Sequence, residues 1–327
     1  MKRRALLLAS GALLAATAAR SLAQTSKAIR RIALVHPGTQ AGFRRDFDAF
    51  RAALKELGHV EGKDISIEVR WAEGRTERLD SLAAEAVALN PAVILTGSSA
   101  GVAACKKATS SIPIVFTTAG DPVEQGFVSS LRRPGGNVTG ITLHGGGLVG
   151  KIIEIAREAL PAARRLAILV HDTDPRHKMH LDIFEPGVRQ FKFEPVIVRI
   201  AIADDLDRAF IELAKRKSDA LIVPPLAFLI SLRQQLVERA RKARLPLFST
   251  NPSFAETGGL LSYGTANDEN WRRAATLVDK ILRGAKPGDL PVEQPERFEL
   301  VINLKTAKAI GVSLSPTTML RVDKVIE

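Results

Sequence analysis

The sequence predicts an α/β protein made of two doubly wound, Rossmann-like lobes joined by a three-segment hinge. Three observations predict it. Apolar runs of strand length alternate with amphipathic helical segments, the pattern of parallel sheets covered by helices. The pattern starts again after Val138-Thr139-Gly140-Ile141-Thr142. Once a leader is set aside, roughly 300 residues remain, more than one hydrophobic core usually holds.

The elements follow in order. Ile32 to Val35 reads as a first strand ending at His36-Pro37-Gly38. Phe43 to Leu57 has helical periodicity, with Phe43, Phe47, Phe50 and Leu54 on one stripe and Gly58 at the C-cap position. Ile65 to Trp71 alternates as a strand, and Leu79 to Leu89 is a helix closed by Asn90-Pro91. Val93 to Leu95 is a buried strand running into Thr96-Gly97-Ser98-Ser99 and another helix. Ile114 to Phe116 is a fourth strand leading to Thr117-Thr118-Ala119-Gly120-Asp121-Pro122. In the second half, strands are expected at Leu166 to Val170, Phe191 to Ile200, Ala220 to Val223 and Leu247 to Ser249. The Asp204-Asp205 pair opens one helix, and a second runs from about Ser231 to Arg244. Trp271 to Leu282 is a helix stopped by Gly284; Phe298 to Ile302 is a strand and Lys305 to Ile310 a short helix. Crossings between lobes are expected near 140–144, 262–266 and 298–303. The first lobe is then 29–141 plus 265–298, and the second 142–264 plus 299–327. Three adjacent crossings would let the lobes rotate without unfolding.

The N-terminus has the layout of a cleavable export signal, residues 1–23. Lys2, Arg3 and Arg4 precede an uncharged run from Ala5 to Ala19, and Ser21-Leu22-Ala23 offers small residues for cleavage. The Sec route is expected, with Arg3-Arg4 also compatible with the twin-arginine route. The compartment implied is the periplasm. No later stretch has the roughly 18–20 apolar residues a membrane span needs, so the mature chain is not expected to cross a membrane.

The net charge is +12; Lys2, Arg3, Arg4 and Arg20 would leave with the signal, leaving eight. The basic residues are interleaved with acidic ones, and the only Tyr is Tyr263 and the only Trp residues are Trp71 and Trp271, so nucleic-acid binding is not expected. Cys105 stands alone and is expected buried in a helix. His177 and His180 lie at i, i+3 with nothing to complete a zinc site, so neither metal nor cofactor is expected. The chain carries no Gly-x-Ser-x-Gly elbow, no Walker-type loop and no paired cysteines, and it is not read as an enzyme. The run His144-Gly145-Gly146-Gly147 is read as a crossing segment.

In open α/β sheets the ligand sits beyond the carboxyl ends of the strands. The segments placed there are small and polar. Thr96, Ser98 and Ser99 directly precede a helix, whose free N–H groups favour an anionic group such as a carboxylate. Thr117, Thr118 and Asp121 occupy the equivalent edge one strand later. Each hydroxyl also has a local alternative, capping its own helix. Asp121 has two readings, pairing with a ligand ammonium or fixing the turn before Pro122.

Several stretches resemble the ABC-transporter substrate-binding family that includes tryptophan- and tyrosine-binding lipoproteins. They are Leu54 to Lys63 leading to Arg70-Trp71-Ala72-Glu73-Gly74, Ile112 to Thr118 leading to Gly120-Asp121-Pro122-Val123, Arg133 to Gly140, Gly258 to Gly264, and Pro291 to Lys305. The resemblance covers nearly all of the mature chain. It implies a type I periplasmic-binding fold, a monomer with a ligand cleft between the lobes, a partner permease with its ATPase, and no catalysis. It implies an aromatic amino acid or similar carboxylate as solute. Carried over, the first lobe would contribute His36, Pro37, Thr96, Ser98, Ser99, Thr118 and Asp121. The second would contribute Asp172, Thr173, Pro225, Leu226, Ser249 and Asn251, with Tyr263 at the hinge. After Tyr263-Gly264 the sequence departs from the family's Pro-Asp-type loop and reads Thr265-Ala266-Asn267-Asp268. Two other functions compete. A transcription regulator would need a helix-turn-helix before the first strand. A periplasmic sensor passing ligand occupancy to a signalling receptor would look the same in sequence.

Overall fold

Short runs of Val, Ile, Leu and Ala form the strands, and in β1 (Arg30–His36) the residues Ile32, Ala33, Leu34 and Val35 are wholly buried. That is what a parallel strand covered on both faces requires. The computed structural model describes residues 29–142, 145–172, 174, 177–265, 267–295 and 298–327. The expected export signal, and Thr173 and His144 among the residues singled out, lie outside them.

The first sheet has the order β2-β1-β3-β4-β5, all parallel, from β1, β2 (Ile65–Trp71), β3 (Val93–Thr96), β4 (Ile114–Ala119) and β5 (Val138–Thr142). Helices α1 (Arg44–Glu56), α2 (Leu79–Ala88) and α3 (Ser98–Ala108) connect the first four strands. The second sheet has the order β12-β11-β10-β9-β8-β6-β7. Its strands are β6 (Arg165–His171), β7 (Glu194–Ile200), β8 (Ala220–Val223), β9 (Leu247–Ser249), β10 (Leu261–Gly264), β11 (Glu299–Asn303) and β12 (Lys324–Ile326). Among the described residues, the β10–β11 pairing alone is antiparallel, and the chain visits the first sheet between those strands. The helices of this half are α4 (Gly145–Ala159), α5 (His177–Gln190), α6 (Asp205–Lys215), α7 (Ala227–Ser231), α8 (Arg233–Lys242) and α9 (Ser253–Thr257). Then come α10 (Asn267–Leu282), α11 (Leu304–Ile310) and α12 (Pro316–Met319).

The chain passes between the sheets three times. It leaves the first sheet after Thr142, returns after Gly264 as α10, and re-enters the second at Glu299. Helix α10 packs along α1 and over β3, β4 and β5. Its Trp271, Ala274, Ala275 and Val278 are wholly buried there. Residues up to Glu293 still belong beside the first sheet, where the Glu293 N–H donates to the Gly140 carbonyl at 2.9 Å. The last passage therefore precedes β11 rather than running through it at 298–303.

Other differences have local causes. The helix expected from Ser231 to Arg244 is two helices, α7 and α8, broken at Leu232. At the break the Ser231 hydroxyl donates to the Ala227 carbonyl while accepting the N–H of Thr39. The strand expected from Phe191 begins at Glu194, because α5 runs to Gln190 and Lys192 turns the chain with φ 60°. Helix α10 begins four residues before Trp271. Cys105 is buried in α3, and burial pushes its thiol up to about 12, far from a reactive thiolate.

In each sheet, neighbouring strands send their chains to opposite sides at one place: β1 beside β3, and β6 beside β8. A crevice opens at the carboxyl ends of such strands. The two crevices face one another.

Candidate functional site

Strand β1 delivers His36 to the mouth of the first crevice. The Gly38 N–H donates to His36 Nδ1 at 3.0 Å, which places the proton of the neutral ring on Nε2. Burial lowers the imidazole to about 3, so the ring is uncharged at neutral pH. Aromatic rings enclose it: Phe43 at 4.2 Å, Trp71 at 5.1 Å and Trp271 at 5.5 Å between centroids. Gly97 packs so closely that a Cβ there would lie 2.3 Å from His36 Nε2. A glycine at the end of β3 is therefore dictated by the histidine at the end of β1.

The chain then enters α3 through Ser98, held at φ 66° in the left-handed region. Such strain costs on the order of 1–3 kcal/mol and persists where its surroundings fix it. The Ser98 hydroxyl accepts the Gly101 N–H at 3.4 Å within the first turn of the helix. Ser99 ties this loop to the next, its Oγ accepting the Gly120 N–H at 3.1 Å. Asp121 Oδ1 accepts the N–H groups of Val123 and Glu124 at 2.9 and 3.0 Å, so the carboxylate fixes its turn as well as facing the crevice.

Opposite stand Pro225, Leu226 and Ala227 after β8, Thr250 and Asn251 after β9, and apolar side chains of α4 and α5. Between the walls lies a cavity of about 380 Å³. Its lining includes the rings of His36, Phe43, Phe184 and Trp271 and the hydroxyl residues Ser98, Ser99, Thr117, Thr118, Thr250 and Thr265. Among the described residues no Lys or Arg lines it; the carboxylates are those of Asp121 and Glu124.

Eight of the residues expected at the site line this cavity: His36, Ser98, Ser99, Thr118, Asp121, Pro225, Leu226 and Asn251. Five do not. Thr96 is wholly buried, its hydroxyl donating to the Val35 carbonyl at 2.7 Å, and Ser249 likewise donates to Val223 at 2.9 Å. Both serve the sheet and have no hydroxyl proton left for a ligand. Asp172 is exposed and paired with Arg199 at 2.6 Å. Pro37 is outside the lining. Tyr263 lies on β10 with its ring 6.0 Å from that of Phe298, away from the cavity. Thr173 is not among the described residues. The sequence reading missed Phe43 and Trp271, which were taken as helix residues, and Thr250, which sits between two residues that were chosen. The signal for Thr250 was its place, immediately after a strand.

Residues 31–326 match the family of ABC transporter substrate binding proteins. The chain belongs to that family. Its members are binding subunits and not enzymes. Among curated proteins, the tyrosine-binding protein of Clostridioides difficile (strain R20291) is 27% identical over 263 residues, covering 80% of this chain and 75% of the relative. A solved conserved domain protein from Vibrio cholerae superposes with a TM-score of 0.82 at 24% identity, covering 90% of this chain and 99% of that one. An ABC domain from Streptococcus pneumonia in complex with L-Trp gives a TM-score of 0.81 at 19% identity, covering 91% and 100%. Both solved chains share the two-lobed fold of this family member. Among the described residues, no helix of the chain is long and apolar enough to cross a membrane.

Proposed function

We propose that this family member is the extracytoplasmic solute-binding subunit of an ABC importer, holding one zwitterionic amino acid with a large apolar side chain in the cavity between its lobes. The observation carrying this reading is the composition of the cavity. Strand ends of both sheets wall it, its lining combines aromatic and aliphatic side chains with hydroxyl residues, and no Lys or Arg among the described residues faces it. Its volume falls in the range of about 300–1,000 Å³ usual for small-molecule sites. A purely anionic solute would meet Asp121 and Glu124 with no Lys or Arg of the described lining to balance it. A zwitterion brings its own countercharge, with its carboxylate suited to the free N–H groups at the start of α3. The relatives named for tyrosine and solved with L-Trp agree in size and chemistry.

On this reading the lobes are 29–141 plus 265–298 and 142–264 plus 299–327, and they rotate about the three passages to admit and release solute. Pro37, Thr96, Asp172, Ser249 and Tyr263 then act through the scaffold rather than by contact. The test is mass spectrometry of the small molecule that leaves the purified protein on denaturation, followed by calorimetry with L-tryptophan, L-tyrosine, L-leucine and L-glutamate. Binding of the aromatic acids in preference to L-glutamate is expected, and Ile230→Trp, which fills the cavity, should abolish it. Undiminished binding by Ile230→Trp would move the site elsewhere.

A further inference from the structure

We propose that Thr250, on the second lobe, is a solute-contacting and specificity-determining residue; this rests on the cavity reading above. Thr250 follows β9 and lines the cavity with a residue exposure of 8%. Its Oγ1 is buried and has no hydrogen-bond partner in the protein. Buried hydroxyls are nearly always paired, so an unpaired one on a residue that lines a cavity marks a group that a change of side-chain rotamer can offer to something that enters.

The neighbouring side chains sharpen the contrast. Ser249 Oγ donates to the Val223 carbonyl and accepts the Asn251 N–H. Asn251 Oδ1 accepts both the N–H and the hydroxyl of Ser253. The flanking side-chain oxygens are used within the turn and the sheet; the Thr250 hydroxyl is not.

The main chain of Thr250 is also held from behind. Gly264, at the end of β10, packs so tightly that a Cβ there would meet the Thr250 carbonyl. The hydroxyl is thus fixed on a braced backbone, as a preorganised contact requires. It stands on the wall opposite Ser98 and Ser99, which belong to the first lobe. A solute hydrogen-bonded to the α3 N-terminus on one side and to Thr250 on the other would join the lobes. The second-lobe wall is otherwise largely aliphatic and aromatic, so the hydroxyl also sets which end of the solute faces it.

The experiment compares Thr250→Val, Thr250→Ser and the unaltered protein, with L-tryptophan and L-tyrosine as probes. Thr250→Val keeps the shape and removes the hydroxyl. It should weaken binding of the preferred probe at least tenfold while the solute-free protein melts at the same or a higher temperature. Thr250→Ser should restore affinity to within about threefold. A lower melting temperature of solute-free Thr250→Val would show a structural role and overturn the proposal. Unchanged affinity in Thr250→Val with binding lost in Ile230→Trp would also overturn it, leaving the cavity reading standing. Unchanged affinity in both variants would overturn the cavity reading and the proposal together.

Discussion

Arg233, at the start of α8 in the second lobe, donates from Nη1 to the carbonyl of Gly42 at 2.7 Å, in the loop between β1 and α1 of the first. Nearby, the Thr39 N–H donates to the Ser231 hydroxyl at 3.1 Å, and Arg45 reaches Glu256 at 2.7 Å and Asp268 at 2.8 Å. Glu256 and Asp268 lie on opposite sides of the division between lobes, so Arg45 bridges them. These contacts run between the lobes, and on the proposed reading they part before solute leaves.

The two arginines should differ in what they hold. Arg45 is 64% exposed, and exposed pairs contribute about 0.2–1 kcal/mol. Arg45→Ala is therefore expected to weaken solute binding by no more than about fivefold, with the effect fading in high salt. Arg233 is more enclosed, and its loss strands the Gly42 carbonyl, which costs roughly 1–3 kcal/mol. Arg233→Met should weaken binding about tenfold or more through faster release. Stopped-flow fluorescence separates the rates; equal losses from both substitutions would refute the ranking.

Two buried groups pull the pH dependence of stability in opposite directions. His36 has an ordinary value of 6.5 and is lowered by burial to about 3. Its folded form resists protonation, so its contribution falls as pH drops below 6.5, by about 1.4 kcal/mol per unit until pH 3. Asp46 is raised by burial from 3.8 to about 6, against the opposing effect of Asn267, which donates to Oδ2 at 3.2 Å. Arg233 and Arg45 also oppose the rise, and Asp268 adds to it. Asp46 therefore stabilises the folded state at low pH, and that contribution is lost as pH rises from about 4 to 6. Within that window the two slopes largely cancel.

Asp46→Asn should unmask the histidine. Urea denaturation between pH 4 and 6 is expected to show a steeper loss on acidification in Asp46→Asn than in the unaltered protein, by roughly 1 kcal/mol per unit. It should also show higher stability at pH 7, where a buried carboxylate is no longer ionised. His36→Gln should do the reverse and gain stability on acidification relative to the unaltered protein. Parallel curves for all three proteins would mean that neither group titrates in the window.

The alternation of apolar runs was enough to read two mainly parallel sheets and nine of the twelve described strands, all but β5, β10 and β12, because buried parallel strands show an unbroken hydrophobic signal. The loops were legible only in part. Ser98, Ser99, Thr118 and Asp121 were found by their place at strand ends, and they do reach the cavity. Thr96 was chosen on the same ground and Ser249 was carried over from the family resemblance, yet the hydroxyl of each turns back to the neighbouring strand. Strand-end position alone cannot tell these apart; side-chain direction alternates with every residue. Trp271 escaped because its contact with His36 joins residues 235 apart in sequence, through a helix that returns from the second sheet to the first. At the division of α7 from α8, Thr39 bonds Ser231 from a segment far away in sequence, a contact that no local pattern encodes.

The packing of Gly97 against His36 gives the last prediction. Gly97 has φ −119°, a value any residue adopts, so backbone strain does not explain a glycine there. The constraint is contact: a Cβ would fall 2.3 Å from Nε2 and 2.5 Å from Cδ2 of His36. The ring cannot retreat easily, since Phe43, Trp71 and Trp271 surround it and the Gly38 N–H holds Nδ1. Gly97→Ala is therefore expected to cost about 1–3 kcal/mol by overpacking and to push the imidazole toward the cavity. Solute affinity should fall by at least tenfold, and the double variant Gly97→Ala with His36→Ala should recover most of the stability lost in Gly97→Ala. If stability recovers but affinity does not, His36 itself contacts the solute; if neither recovers, the clash lies in main chain that the ring does not control, and the close approach has been misattributed.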